Sequence, residues 1–140
     1  MEPRVIGGKL HTDPRGSLHS FNRLDLQSVR RMYKIKPSSK TVVRAWQGHK
    51  QERKWFYVVK GSFRIVLVKP DDWVQPSDDL PYQCFDVSAD TPQILQVPGG
   101  FLNGFQALEQ NSEVVVFSDK TLDESLLDDY RFDQNRWYNW

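Results

Sequence analysis

The chain has 140 residues, 39% of them hydrophobic and 13% aromatic, which is enough to bury the core of one domain over residues 1–140. Its net charge is only +1, no apolar run approaches the roughly 20 residues of a membrane span, and the start Met-Glu-Pro-Arg lacks the apolar segment of a signal peptide. The single cysteine, Cys84, excludes an intramolecular disulfide framework. We therefore expect a cytoplasmic protein without membrane contact.

The charges are unevenly distributed along the chain. Residues 1–70 contain 16 Lys or Arg and 4 acids, whereas residues 71–140 contain 3 and 14, which gives the halves net charges of +12 and −11. The acidic half argues against nucleic acid as a partner, because it would repel phosphates over half of the surface. The basic half either supplies contacts to a smaller anionic ligand or complements the acidic half within one fold.

Short runs rich in Val, Ile, Phe, Trp and Tyr, separated by Gly, Pro, Asn or Asp, predict an antiparallel sandwich or barrel. In the strand around Trp46, Gln47 and His49 point to the same side, while Arg44 faces away unless a bulge changes the register. Residues 55–59 and 63–68 are the next predicted strands.

The turn Lys60-Gly61-Ser62 between those two strands predicts a β-hairpin. Residues 70–81, with three Pro and four Asp, predict a surface loop. A strand is expected over residues 93–97, and residues 114–117 predict a strand buried on both faces. The only helical pattern is short and acidic, over residues 122–130.

The segment 44–61 contains the side chains best suited to chemistry. His49 can exchange a proton near neutral pH, and the cations of Arg44 and Lys54 can stabilise an anion or an enolate. That set is the minimum needed for proton transfer next to a carbonyl group.

This segment resembles the first conserved box of small cupin enzymes that act on nucleotide-linked 4-keto-6-deoxy sugars. Arg44, His49 and Lys50 match the Arg-Gly-x-His-Ala-His-Lys pattern of the dTDP-4-keto-6-deoxyhexose 3,4-ketoisomerases (WxcM-like). Lys54, seven residues before Gly61, matches the second group, the dTDP-4-dehydrorhamnose 3,5-epimerases, in which a Lys stands seven residues before a turn Gly.

Other segments extend the resemblance over most of the chain. Asp13-Pro14-Arg15-Gly16 is similar to an Asp-x-Arg-Gly motif near the start of both groups, and residues 31–35 are similar to the ketoisomerase Arg-Val-Tyr-Tyr-Ile. Residues 97–105 are similar to the epimerase Ile-Pro-x-Gly-Phe-Ala-His-Gly-Phe, and residues 119–133 to the tail of both groups. The resemblance implies an all-β double-stranded β-helix, the cupin jelly roll. Strand spacing alone does not distinguish it from other sandwiches.

The resemblance also implies roles for particular side chains. The implied catalytic side chains are those of His49, Lys54 and Tyr33. The implied substrate-binding side chains are those of Arg15, Arg44, Gln47 and Asn103.

Three departures from the family patterns bear on activity. Gln47 stands where both groups have the His that serves as base, and Asn103 replaces the His of the second box. Phe117 stands in the region of the Tyr that epimerases use as acid. The expected function is therefore epimerisation or isomerisation of a nucleotide-linked 4-keto-6-deoxy sugar, with dTDP as the expected nucleotide, in surface-polysaccharide synthesis. The alternative is a cupin that binds such a ligand without catalysis.

No cofactor is implied, and no metal is expected, because a cupin metal site needs a His-x-His pair with a later Glu and His. The chain has only His11, His19 and His49. The expected partners are a nucleotide-sugar substrate and a second copy of the chain in a homodimer.

Overall fold

The computed structural model describes residues 1–140 and consists almost entirely of β-strands. In chain order the strands are Arg4–Gly7 (β1), Lys9–Asp13 (β2), Gly16–Ser20 (β3), Arg31–Ile35 (β4), Val43–His49 (β5), Lys54–Lys60 (β6), Ser62–Val68 (β7), Tyr82–Ser88 (β8), Gln93–Val97 (β9), Phe101–Ala107 (β10), Glu113–Ser118 (β11) and Tyr130–Arg131 (β12). One helix, Leu122–Leu126 (α1), precedes β12. No helix is long and apolar enough to cross a membrane.

Ten of the strands form two antiparallel sheets of five. The first sheet has the order β1-β9-β6-β11-β4, and the second has the order β12-β5-β10-β7-β8. From β4 to β7 the chain changes sheet at every step, and β9 to β12 alternate in the same way. This arrangement confirms the predicted all-β cupin jelly roll. Strands β2 and β3 pair only with each other, as a separate two-stranded sheet.

The turn at Gly61 shows where the sequence-based prediction of a hairpin is wrong. Strand β6 pairs with β9 and β11, whereas β7 pairs with β8 and β10, so the turn passes from one sheet to the other. Gly61 has φ +70°, and a Cβ there would lie 2.1 Å from Ser112 Oγ. Glycine is therefore needed both for the left-handed backbone and for the close approach of the chain leading into β11.

The main core fills the space between the two sheets. Thirteen buried side chains form it, among them Phe56, Ile65, Phe105 and Val116. A second cluster lies on the outer face of the second sheet, where Trp46 is covered by aromatic residues of the C-terminal tail. Burial of this apolar surface is the main source of stability.

Two elements differ from the sequence-based expectation. In β11 only alternate residues are fully buried: Val114 and Val116 face the core, whereas Val115 and Phe117 are half-buried on the outer face. Within the predicted helical segment 122–130, the helix ends at Leu126, and Tyr130 begins β12, which pairs with β5. Thr121 fixes the start of α1 through a capping box with Glu124.

Candidate active site

A cavity of about 550 Å³ opens between the two sheets, near the end that α1 and β12 cover. The first sheet contributes Arg31 and Tyr33 from β4 and Lys54 from β6. The second sheet contributes Arg44 and Gln47 from β5 and Asn103 from β10. The structure thus brings five of the seven predicted site residues into one pocket: Tyr33, Arg44, Gln47, Lys54 and Asn103.

A β-bulge in β5 explains why Arg44 and Gln47 line the same pocket. Arg44 is opposite Phe105 and Gln47 is opposite Asn103, so β5 has one more residue than β10 between these pairs. The extra residue reverses the alternation of side chains and turns Arg44 inward. A Cβ at Gly104, opposite the bulge, would lie 2.7 Å from the Cβ of Ala45, so glycine is required at this close approach.

Lys54 is the central cation of the pocket and is only 3% exposed. Its Nζ donates to Gln47 Oε1 at 3.3 Å and lies 3.7 Å from Glu52 Oε2. Burial lowers the pKa of Lys54 from 10.5 to about 8, although the charge of Glu52 acts in the opposite direction. An amine with that pKa exists in both protonation states near neutral pH.

Behind Lys54 lies Glu52, a carboxylate that sequence reasoning missed. It is 2% exposed, and neither oxygen has a hydrogen-bond partner. Its Oε2 lies 3.5 Å from Arg31 Nη2 and 3.7 Å from His49 Nε2. The local sequence Lys-Gln-Glu-Arg-Lys is typical of an exposed loop, so nothing near Glu52 in the chain signals its burial.

His49 lies beside the pocket and is not part of its lining. Its Nδ1 donates to the carbonyl oxygen of Asp128 at 2.5 Å, and the ring is 3% exposed. Burial, and then the charge of Lys54, lower the pKa of His49, while Glu52 opposes them. His49 is therefore a neutral imidazole, with Nε2 directed towards Glu52.

Two consecutive acids of the segment after α1 hold this region together. The Asp128 carboxylate accepts hydrogen bonds from the backbone N–H groups of Lys50, Gln51 and Glu52. Asp129 accepts from Gln47 Nε2 at 3.1 Å and from Arg131 Nε at 3.0 Å. Burial would raise the pKa of Asp129, but the hydrogen bonds from Arg131 and Gln47 outweigh it and hold the pKa below its usual range.

Tyr33 brings a phenol into the pocket from β4. The guanidinium of Arg31 lies 5.0 Å from the centre of its ring. Burial raises the pKa of Tyr33 to about 12, so the phenol stays protonated at cellular pH and is a donor. The residue opposite Tyr33 on β11 is Val116. Phe117 lies on the outer face against Trp55 and Ile94, so it does not occupy an acid's place in the pocket.

Arg15 lies away from the pocket, in the turn between β2 and β3. Its side chain is 88% exposed, and its Nη2 bonds to Asp13 Oδ2 at 2.6 Å. Within this single chain, Arg15 therefore makes no contact with the other predicted site residues.

No cluster of three or more His, Cys, Asp or Glu side chains is arranged to hold a metal ion. The polar part of the pocket lining consists of cations, amides, the phenol of Tyr33, the hydroxyl of Ser125 and the carboxylate of Asp129. This set can bind anions and carbonyl oxygens, and Lys54 and Tyr33 supply groups that can exchange protons.

No protein-family model matches the sequence, and a search of characterised proteins finds no matching sequence. Solved structures do match the fold. A 3,4-ketoisomerase from Helicobacter canadensis has a TM-score of 0.72 at 17% identity, over 94% of this chain and 92% of that chain. A variant of the 3,4-ketoisomerase from Thermoanaerobacterium thermosaccharolyticum, in complex with TDP-4-keto-6-deoxyglucose, has a TM-score of 0.72 at 19% identity, over 94% and 88%.

A dTDP-4-dehydrorhamnose 3,5-epimerase from Bacillus anthracis, with TDP and PPi bound, has a TM-score of 0.75 at 20% identity, over 95% of this chain and 79% of that chain. These similarities agree with the resemblance found in the sequence motifs, and they extend over almost the whole chain. The chain therefore has the cupin fold that dTDP-sugar 3,5-epimerases and 3,4-ketoisomerases share.

Proposed function

We propose that the protein is an epimerase or isomerase of a dTDP-linked 4-keto-6-deoxy sugar, acting by removal of a proton next to the C4 carbonyl. The overall reaction is either 3,5-epimerisation or 3,4-ketoisomerisation, in the synthesis of surface-polysaccharide sugars. The observation that supports this proposal best is the pocket between the sheets, where Lys54 and Tyr33 lie with three arginines.

The chemistry of a 4-keto sugar fits this set of side chains. Protons at C3 and C5 are acidic because the carbonyl oxygen can take the charge as an enolate. Removing one requires a base, and the enolate requires positive charge or hydrogen-bond donors at its oxygen. A buried amine, a phenol and the guanidinium groups of Arg31 and Arg44 are the matching groups. The cavity of about 550 Å³ is also of the size that small-molecule ligands occupy.

The ligand class is supported by the named structural neighbours. One is described with TDP-4-keto-6-deoxyglucose and another with TDP and PPi. Arg31 and Arg44 could neutralise part of a pyrophosphate, since a guanidinium matches phosphate geometry. In a homodimer, Arg15 of a second copy is a further candidate for that contact.

Solvent exchange tests the reaction directly. The protein is mixed with dTDP-4-keto-6-deoxyglucose in D₂O, and proton NMR follows the signals at C3 and C5 against an enzyme-free control. Loss of the C3 signal alone indicates a ketoisomerase or a 3-epimerase, and loss of both indicates a 3,5-epimerase. The product's coupling constants then identify its stereochemistry. No exchange above the control would contradict the proposal.

Nucleotide binding is tested separately by melting temperature. A dTDP concentration of 100 times the dissociation constant should stabilise the folded protein by about 2.7 kcal/mol. The gain should shrink when salt is added, because screening weakens the contacts to phosphate. Arg44→Gln should reduce the stabilisation by dTDP. Arg23→Gln should leave it unchanged, because Arg23 is exposed and lies outside the pocket. Absence of a shift with millimolar dTDP, UDP or GDP would contradict a nucleotide-sugar ligand.

Non-catalytic binding is the second candidate, and the pocket amides favour it. Gln47 and Asn103 face each other across β5 and β10, where the family motifs have His, and an amide hydrogen-bonds hydroxyl groups without taking a proton. Stabilisation by a dTDP-sugar without solvent exchange would identify this function.

A further inference from the structure

We propose that Lys54, as a neutral amine, is the base that exchanges the proton with the sugar, and that Glu52 holds the ammonium formed in that step. The inference rests on the proposed function. It assigns the role of base to Lys54, whereas the sequence motifs point to His49. It follows from three properties of the site: access to the pocket, the charge balance behind Lys54 and the orientation of the amine.

Lys54 and His49 differ in their access to the pocket. Lys54 lines the pocket, whereas His49 is buried beside it, with Nδ1 committed to the carbonyl of Asp128. Tyr33 also lines the pocket, but its raised pKa makes it a donor of protons rather than an acceptor. Asp129 is held by Gln47 and Arg131, which stabilise its charged form and make it a weak base.

Burial favours loss of the Lys54 proton, and Arg31 offsets part of the charge of Glu52 that opposes this loss. Glu52 is the one carboxylate within 4 Å of Lys54 Nζ, and Arg31 approaches the same oxygen, Glu52 Oε2. An arginine keeps its proton under all ordinary conditions, so it already balances the carboxylate. The neighbouring His49 is neutral, which leaves Lys54 as the second cation on one buried anion. Asp129 acts in the opposite direction, and Arg44 and Arg131 add positive charge at the pocket wall.

The amine is also held in a fixed orientation. Nζ lies between Gln47 Oε1, on the second sheet, and Glu52 Oε2, behind it. Gln47 accepts a hydrogen bond from the amine, and the Glu52 carboxylate attracts its N–H groups electrostatically from 3.7 Å, so the remaining position of Nζ is left for the ligand. Gln47, which cannot act as the family's base, thus orients the group that does.

The step is balanced without a further reactant. The Nζ lone pair takes the proton from the carbon next to C4, the C–H electron pair forms the carbon–carbon double bond of the enolate, and the carbonyl π pair moves to the oxygen. Lys54 becomes an ammonium that faces Glu52, and the guanidinium groups of Arg31 and Arg44 stabilise the enolate oxygen. For epimerisation, the Tyr33 hydroxyl gives its proton to the opposite face of the carbon, after which Lys54 releases its proton to solvent and Tyr33 takes one back. For ketoisomerisation, Lys54 returns its proton to the enolate oxygen to give the enediol, then takes the proton of the C3 hydroxyl and delivers it to C4, which leaves the carbonyl at C3.

The pH dependence of solvent exchange distinguishes this role from enolate stabilisation by the ammonium. If Lys54 is the base, the enzyme-catalysed rate rises roughly 20-fold between pH 6.5 and 8.5 and is then constant, as the amine loses its proton. If Lys54 acts as a cation and His49 is the base, the rate is nearly constant through pH 7.5 and falls above pH 8. The second profile would overturn the proposal and leave the proposed function intact.

Lys54→Arg provides the matched variant, because arginine keeps the positive charge and cannot act as a base. It should lower the exchange rate by at least about 10²-fold, while dTDP still raises the melting temperature. Lys60→Arg, at the exposed end of the same strand, should leave the rate unchanged. A Lys54→Arg variant that retains a tenth or more of the rate would overturn the proposal.

Glu52→Gln tests the carboxylate, and NMR tests the amine without any substrate. Since the charge of Glu52 raises the pKa of Lys54, its removal should move the rise of the rate to lower pH; a purely structural role would lower the rate without moving the profile. In protein labelled with ¹³C-lysine, the Lys54 Cε signal should titrate near pH 8, well below the ordinary lysine pKa of about 10.4. A Lys54 signal that titrates above pH 10 overturns the proposal even if Glu52→Gln does not fold. Absence of exchange at any pH, with Lys54 titrating near pH 8, overturns the proposed function together with the base assignment.

Discussion

At the residue scale, Gln47 shows how the pocket differs from the family motif. Its side-chain amide bridges Asp129 and Lys54: Nε2 donates a hydrogen bond to Asp129, and Oε1 accepts one from Lys54. Glutamine can make both contacts at once because it has a donor and an acceptor, but it cannot take up a proton. The sequence motif places an amide where the family has its base, while the contacts that this amide makes can be seen only in the fold.

Gln47→His should introduce a second base into the pocket. The imidazole would lie beside Asp129, which can accept its N–H and leave the other nitrogen free for the substrate. We expect the solvent exchange rate at pH 7 to increase by about tenfold or more, within the range of a general base. The control is Gln106→His, on β10 outside the pocket. An unchanged rate in a variant that still binds dTDP would contradict this prediction.

Lys54→Met should stabilise the protein while it abolishes exchange. The folded state lowers the pKa of Lys54 from 10.5 to about 8, so it binds this proton less tightly than the unfolded state does. Below pH 8, burial of the Lys54 ammonium lowers the free energy of unfolding by about 3 kcal/mol. This destabilisation disappears between pH 8 and about 10.5, as the unfolded chain also loses the proton.

Urea unfolding of both proteins at pH 7 and at pH 9.5 measures this effect. The variant should be more stable at pH 7, by up to the full amount, and its advantage should be smaller at pH 9.5. Lys60→Met, which removes an exposed lysine from the same strand, should show no such pH dependence. A variant less stable than the wild type at pH 7 would indicate that the ammonium and Glu52 stabilise the fold.

At the element scale, the loop between β5 and β6 illustrates what local sequence can and cannot predict. The alternation in residues 63–68 identified an inward-facing strand correctly, because that pattern is local. Glu52 was missed because its partners are distant in the chain: Arg31 is on β4, and Asp128 follows α1. The Gly61 turn was misassigned for a related reason, since a turn signal does not specify whether the chain stays in one sheet.

Asp128→Ala should make the loop between β5 and β6 more mobile. The carboxylate accepts hydrogen bonds from three backbone N–H groups, and the carbonyl oxygen of the same residue accepts one from His49. Loss of the carboxylate therefore removes three hydrogen bonds from the loop and leaves the part-buried N–H of Glu52 without a partner. We expect a loss of about 2 to 4 kcal/mol in the free energy of unfolding, with faster hydrogen exchange at the amides of residues 50–52. Asp133→Ala, which removes a cap from a single exposed amide, is the control. Unchanged amide protection would show that the loop is held by other contacts.

At the scale of the whole molecule, the opposite charges of the two halves meet in the sandwich. Lys34 pairs with Glu113 at 2.9 Å and Arg64 with Asp86 at 2.8 Å, each joining the basic half to the acidic half across neighbouring strands. These pairs show that part of the asymmetry is used in contacts between strands of the fold, in line with one of the two interpretations of the sequence. The pocket also combines the halves, because Arg31, Arg44 and Lys54 come from the first half and Asp129 and Arg131 from the second.

The predicted homodimer is best tested at the β2–β3 hairpin. An isolated two-stranded sheet is marginally stable in water, yet this one carries Leu10 and Leu18 at 51% and 58% exposure. Packing of the hairpin against a second copy would bury both leucines and would pair the sheet edges that are otherwise exposed. We expect a dimer of about twice 16.4 kDa by light scattering. Leu18→Asp should dissociate it, whereas Ser17→Asp, which adds the same charge at an already polar position, should leave it intact. A wild-type protein that remains monomeric at high micromolar concentration, with the hairpin fully accessible to protease, would contradict the prediction.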